Sequence, residues 1–238
     1  RTQIRVPILM YHYIRDVPRS AGQLSFNLSV TPADFNLQMK WLHLNNYHAI
    51  TFDDLRAYFA GLHSLPSKPV VITLDDGYRD LFTTAYPILR AYGFVAVAYI
   101  VTGFVGRPRY VTSDMVLQMD HDGIEIASHT VDHADLAKMS LPSMTYEVME
   151  SKRWLEMLLG HPVLDFAYPS GKFDAAAEAE LAAAGYSTAV IEDGYSTEHA
   201  WATRYAWTRV RVAGGESLSL FIKNLGLVEP YVFAPATV

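Results

Sequence analysis

The chain has 238 residues, half of them hydrophobic and 18% charged, with a net charge of -6 and no cysteine. That composition excludes intrinsic disorder and, with no cysteine, disulfides, a cysteine nucleophile and thiolate metal ligands; it also lacks the basic tract that nucleic-acid binding needs. There is no run of about 18 apolar residues, so no transmembrane helix is expected, and the length suits two small domains or one α/β barrel. The chain starts at Arg1 rather than Met, as a processed or trimmed product does, so the lack of a signal peptide carries no weight.

Residues 6–11 (VPILMY) read as a short buried strand. Residues 15–30 are polar and contain glycine, which predicts a loop. Thr31 caps a helix with Pro32 at its first position and Asp34 in its first turn, and Phe35, Met39 and Leu42 supply the apolar spacing. Residues 47–50 form a strand, and Thr51 caps the next helix. Residues 69–74 (PVVITL) are apolar and β-branched without alternation, which suits a strand buried on both faces. The reading continues with helix 79–92 ended by Gly93, strand 94–101, helix 112–122 and strand 123–127. A long amphipathic helix covers 141–159, followed by strand 163–168, an alanine-rich helix 174–184 ended by Gly185, and strand 186–191. Strand 208–212 and helix 216–225 precede a tail of a dozen residues. Strands alternate with helices and no linker or repeat interrupts them, which predicts a parallel sheet covered by helices in one domain, 1–238. Closed as a barrel, such a sheet carries its active site at the C-terminal ends of its strands.

Three short motifs fall at such ends: Thr73-Leu74-Asp75-Asp76-Gly77, Ser128-His129-Thr130-Val131-Asp132-His133 and Phe166-Ala167-Tyr168-Pro169-Ser170-Gly171. One carboxylate and two imidazoles make a three-ligand metal site with a position open for water. Asp76, His129 and His133 are the candidate ligands, and Asp75 is left as a base beside that water. Neighbouring side chains on a strand point to opposite faces, so Asp75 and Asp76 can both face inward only where the chain turns at Gly77. The four-residue spacing of His129 and His133 brings both rings to one side if the segment turns helically. Asp132 and Asp135 are candidates to orient a ring from behind. Pro169 and Gly171 bend the chain at a strand end, where a backbone N–H can meet a developing oxyanion.

Together the motifs resemble those of the polysaccharide deacetylase family, the NodB-homology or carbohydrate esterase family 4 domain, over nearly the whole chain. The resemblance implies a distorted (β/α)7 barrel, with Asp75 as catalytic base and Asp76, His129 and His133 as ligands. The third motif departs from the family pattern: the usual arginine is Ala167 and the usual tyrosine is Ser170, whose backbone N–H can still serve the oxyanion. The late histidine that normally serves as general acid is also missing, since no histidine follows His199. The opening Leu9-Met10-Tyr11-His12 looks like the poly-N-acetylglucosamine deacetylase branch, and it makes His12 the candidate acid or substrate contact. Arg209 and Arg211 share one face of their strand, and either can replace the missing arginine, with Lys172 a weaker alternative. Tyr13, Tyr78, Tyr168, Phe173 and Trp207 are candidates to stack on sugar rings. His43, His48, His63, His121 and His161 lie away from the motif ends and read as structural.

The resemblance implies a hydrolase that removes N-acetyl groups from an N-acetylhexosamine polysaccharide and releases acetate. The implied cofactor is a divalent metal, Zn2+ by default, with Co2+, Ni2+ or Mn2+ as substitutes. The implied partner is an acetylated polysaccharide or oligosaccharide outside the cytoplasm: extracellular, cell-surface or periplasmic. Two alternatives stand beside it: an O-acetyl ester hydrolase such as an acetylxylan esterase, and a carbohydrate-binding domain with a degraded site.

Overall fold

The computed structural model describes residues 2–192 and 196–226; the expected tail at 227–238 lies outside them. The strands in chain order are β1 (Gln3–Arg5), β2 (Ile8–Tyr11), β3 (Tyr13–Ile14), β4 (Ser29–Val30), β5 (His48–Ile50) and β6 (Pro69–Leu74). They continue as β7 (Val97–Ile100), β8 (Glu125–Ser128), β9 (Asp165–Ala167), β10 (Thr188–Val190), β11 (Glu198–Ala200) and β12 (Val210–Arg211). The main sheet runs β10-β9-β8-β7-β6-β2-β12, every pair parallel, with β5 on the first half of β6. Its two edges meet through the segment just before β12. Trp207 bridges Val190 in parallel, its N–H donates to Ala189 O at 3.0 Å, and its carbonyl accepts from Ile191 N–H at 2.9 Å. The sheet therefore curls into a barrel, and a β1–β11 pair and a β3–β4 pair lie outside it.

Alternation along each strand sorts the core into two layers. Ile8, Val71, Val97, Tyr99, Ala127, Ala167 and Val190 fill the barrel with Phe52, Phe59 and Trp207. Leu9, Ile72, Ala98, Ile126, Phe166 and Ala189 face the covering helices. Burial on both sides explains why these strands read as unbroken apolar runs. No helix among the described residues is long and apolar enough to cross a membrane.

The helices Pro32–Leu44 and Phe52–Phe59 start at the expected threonine caps. Three expectations are corrected and two strands are added. Residues 15–30 are not all loop: they hold a 3-10 turn at Arg19–Ala21, a helix at Gln23–Asn27 and β4. The helix expected over 79–92 is a π turn, Leu81–Ala85, followed by α-helix Tyr86–Ala91. Pro87 has no N–H to give to the preceding turn, and the Tyr86 N–H reaches back to Leu81 O. A second π turn, Tyr146–Glu150, interrupts the helix expected over 141–159. Strands β1 and β11, which pair with each other outside the barrel, are additions: neither is an apolar run of the kind that marks the barrel strands.

Candidate active site

Asp75 continues the inward face of β6. Val71 points into the barrel, Thr73 follows two residues on and Asp75 two further on, as strand periodicity requires. Asp76 would then point outward, but its φ of 71° turns the chain back and Gly77 continues the turn at 72°. Both carboxylates thereby reach the same end of the barrel. A side chain at Gly77 would press on Ile100 at 3.2 Å, and its positive φ already favours glycine.

Of the two candidate arginines, Arg209 is the one that reaches Asp75. Its guanidinium is fully buried and grips both oxygens of Asp75, Nη1 to Oδ1 and Nη2 to Oδ2, each at 2.7 Å. Nη1 also donates to Thr73 Oγ1 at 3.0 Å, and Nε to Ile191 O at 3.1 Å. Burial alone would raise the Asp75 carboxyl, but Arg209, with smaller help from His12 and His129, holds it far below the usual carboxylate range. Arg211 makes no such contact and is only half buried, and Lys172 pairs with Asp135 at 3.4 Å instead.

His129 is the next inward residue after Ala127 on β8, since Ser128 faces outward and bonds Ser151 Oγ at 2.8 Å. The His129 Nδ1–H donates to Ala167 O at 2.7 Å, which leaves the Nε2 lone pair free to ligate. That Nε2 lies 3.3 Å from Asp76 Oδ1, and His133 Nε2 lies 3.3 Å from the same oxygen. No helical turn brings the two imidazoles together, contrary to expectation. Residues 129–133 form a loop with Thr130 at φ 67° and His133 at φ 58°. The loop is held from two sides. The N–H groups of Thr102 and Gly103 donate to the carbonyls of Thr130 and Val131 at 3.1 and 2.8 Å. Buried Glu147 accepts from the N–H groups of Val131 and Asp132 at 2.8 and 3.0 Å. Asp132 and Asp135 do not orient the rings: Ala167 O holds His129, and Asp135 pairs with Lys138 and Lys172.

One ligand atom from each of Asp76, His129 and His133 lies within 4.8 Å of the others. Asp76 Oδ1 is buried with no hydrogen-bond donor of its own, and buried polar atoms are normally satisfied. Burial would lower the His129 imidazole, but Asp76 outweighs it and raises it, while burial and the neighbouring His129 lower His133. A carboxylate oxygen and two imidazole nitrogens that converge on one point fit a divalent cation.

His12, just past β2, is buried, with its Nε2 4.0 Å from Asp75 Oδ2 and 3.7 Å from Glu192 Oε1. Sequence reasoning missed Glu192, although it follows β10 at the same barrel end as the motifs. It also missed Glu147, which nothing in a helical segment marks. Ser170, exposed and at φ 55°, sits in the turn Pro169–Gly171 that follows β9, and Pro169 is buried. Two aromatic candidates are corrected. Trp207 is fully packed among Phe52, Phe59 and Trp201, and its indole N–H is held by Ala200 O at 2.9 Å. Tyr168 is fully buried and stacks on Phe173. Neither offers a face to a sugar. Tyr13 and Tyr78 stay half exposed beside His12 and Gly77, with their hydroxyls joined at 2.7 Å, and Tyr78 stacks on Tyr110.

Residues 63–189 match the family model described as polysaccharide deacetylase. A Bacillus subtilis (strain 168) protein that carries the polysaccharide deacetylase name is 32% identical over 221 residues, 91% of this chain and 75% of that protein. The poly-beta-1,6-N-acetyl-D-glucosamine N-deacetylase of Staphylococcus aureus (strain MSSA476) is 28% identical over 159 residues, 61% of this chain and 54% of that protein. This chain thus spans about half the length of the staphylococcal relative. Among solved structures, a Streptococcus pyogenes deacetylase in complex with acetate superposes with a TM-score of 0.86 at 27% identity, over 96% of this chain and 100% of that one. A polysaccharide deacetylase from Bacillus cereus gives 0.80 at 27% identity, over 94% of this chain and 69% of that one. The chain therefore belongs to the polysaccharide deacetylase family, the NodB-homology hydrolases built on a (β/α) barrel.

Proposed function

We propose that this protein, as a single domain over 1–238, removes N-acetyl groups from a poly-N-acetylglucosamine-like polysaccharide outside the cytoplasm. One observation carries the reading: the two adjacent carboxylates have different partners. Asp75 is clamped by a buried guanidinium, and Asp76 aims an unpaired oxygen at two imidazoles. Asp76, His129 and His133 would hold the divalent cation, with Zn2+ the first choice for this ligand set. When bound, the cation supplies Lewis acidity toward the acetyl carbonyl and the attacking water.

Asp75, kept ionised by Arg209, takes a proton from that water as its oxygen bonds to the acetyl carbon. The carbonyl electron pair moves onto oxygen, where the Ser170 N–H stabilises it. His12 then protonates the leaving nitrogen, the C–N bond breaks, and its electron pair stays on nitrogen. The proton held by Asp75 returns to His12, whose Nε2 is 4.0 Å away, and the site is reset.

The test is acetate release from N-acetylglucosamine oligomers and acetylated xylan, with chelator and with added zinc. Release from the amino sugars, lost on chelation and restored by zinc, is expected. Release from xylan alone would replace this reading with an ester hydrolase. Release from neither would leave a carbohydrate-binding domain.

A further inference from the structure

We propose that Glu192 selects the leaving group: its carboxylate favours departure of an amine over departure of an alcohol, and so makes the site an amidase rather than an esterase. This rests on the deacetylase reading and deepens it.

Glu192 Oε1 lies 3.7 Å from His12 Nε2, the nitrogen that also faces Asp75 Oδ2 at 4.0 Å. The proton that His12 delivers therefore leaves from a point already facing Glu192. The Glu192 side chain is 24% exposed, against 1% for that of Asp75. A group arriving from solvent can reach it. Its position is fixed from behind. The preceding Ile191 donates its N–H to Trp207 O at 2.9 Å and accepts from Arg209 Nε at 3.1 Å. Gly171 packs so closely that a Cβ there would come within 2.6 Å of the Glu192 nitrogen. His12 in turn holds the Glu192 carboxyl below its ordinary value, which keeps it anionic at neutral pH.

The charge on the leaving atom decides the selection. A leaving amide nitrogen becomes cationic once the proton reaches it, before the C–N electron pair returns to nitrogen, and the amine product is again cationic at neutral pH. A carboxylate beside it is attractive at both moments. An ester oxygen instead gains negative charge as the C–O bond breaks, and the same carboxylate repels it. Glu192 thus stabilises one transition state and opposes the other, which is the condition for changing specificity rather than merely binding more tightly.

The experiment compares wild type with Glu192→Gln in the metal-loaded enzyme. It measures kcat/KM on N-acetylglucosamine oligomers and on acetylated xylan oligomers, and inhibition by glucosamine oligomers. The amide-to-ester ratio should fall about 10–100-fold, the range of a lost charged hydrogen bond, and the inhibition constant of the glucosamine oligomers should rise about 10-fold. Equal losses on both substrates would show that Glu192 only supports the structure, and an unchanged ratio would show that it plays no part; either overturns the proposal. A wild type without amide turnover would overturn the deacetylase reading itself, and this inference with it. A wild type active on amides whose Gln variant keeps the ratio overturns this inference alone.

Discussion

Each end of the barrel buries a guanidinium against carboxylates, but only one end leaves a carboxylate unfinished. At the N-terminal end Arg56 bonds Asp53, Glu125 and Asp165 together. Thr188 donates to the remaining Asp165 oxygen, and Glu125 Oε2 accepts from the N–H groups of Phe52 and Asp53 at 2.7 and 3.4 Å. Both oxygens of Asp165 and both of Glu125 are engaged, above a plug of Phe52, Phe59, Trp201 and Trp207. At the C-terminal end Arg209 gives each oxygen of Asp75 a donor, and Asp76 Oδ1 has none. Asp76, Thr130, His133 and Ser170 also hold left-handed backbone there. A closed polar network acts as scaffold, and an open one held by strained backbone is where a further group belongs.

The hardest blow to this contrast is Asp75→Asn, which keeps the shape and removes the proposed base. Turnover should drop about 1,000-fold or more while metal content, read by atomic absorption, stays stoichiometric. Appreciable activity in the variant would move the base elsewhere.

Arg209→Met and Arg56→Met should each lose about 3–5 kcal/mol in denaturant titration, because each strands a buried carboxylate. Only Arg209→Met should also move the acid limb of kcat/KM to higher pH, since it frees the Asp75 carboxyl to rise. Matching pH profiles in the two variants would erase the distinction between the ends.

His199 sharpens the scaffold side. Burial lowers its imidazole to about 4, against a bond from its Nε2–H to Val6 O. Folding thus favours the neutral ring. The contribution is whole above pH 6.5 and is lost as pH falls toward 4, about 3 kcal/mol in all. His199→Gln should flatten that part of the stability curve, and an unchanged slope would exclude His199 as its source. Smallest is Thr51→Ala, which removes the cap of the helix that docks on Glu125. It should lose about 1 kcal/mol with kcat unchanged.

The alternation of buried runs with Gly- and Pro-punctuated helices made the parallel sheet legible, because strands covered on both faces are mostly apolar and keep their polar residues near the strand ends. Asp75, Asp76, His129 and His133 stood out because carboxylates and imidazoles directly after such runs have few structural uses. Arg209 could not be separated from Arg211 by reading, since two residues apart means the same face, and depth in the barrel is a property of register. Glu192 follows its strand with no partner residue nearby in sequence, and His12, which gives it meaning, lies at the other end of the chain. The aromatic candidates failed for a similar reason: Trp207 and Tyr78 look alike in composition, and only packing tells an interior ring from a rim ring.

Barrel closure has a temporal side. Arg209 lies 134 residues after Asp75, in the segment that joins the sheet's two edges. At about 5–20 residues per second, a ribosome takes on the order of ten seconds to make the guanidinium after the carboxylate has emerged. Until then Asp75 lacks its main counter-charge, and burying it is unfavourable. The step that seals the barrel is also the step that lets the Asp75 carboxylate be buried without losing its charge.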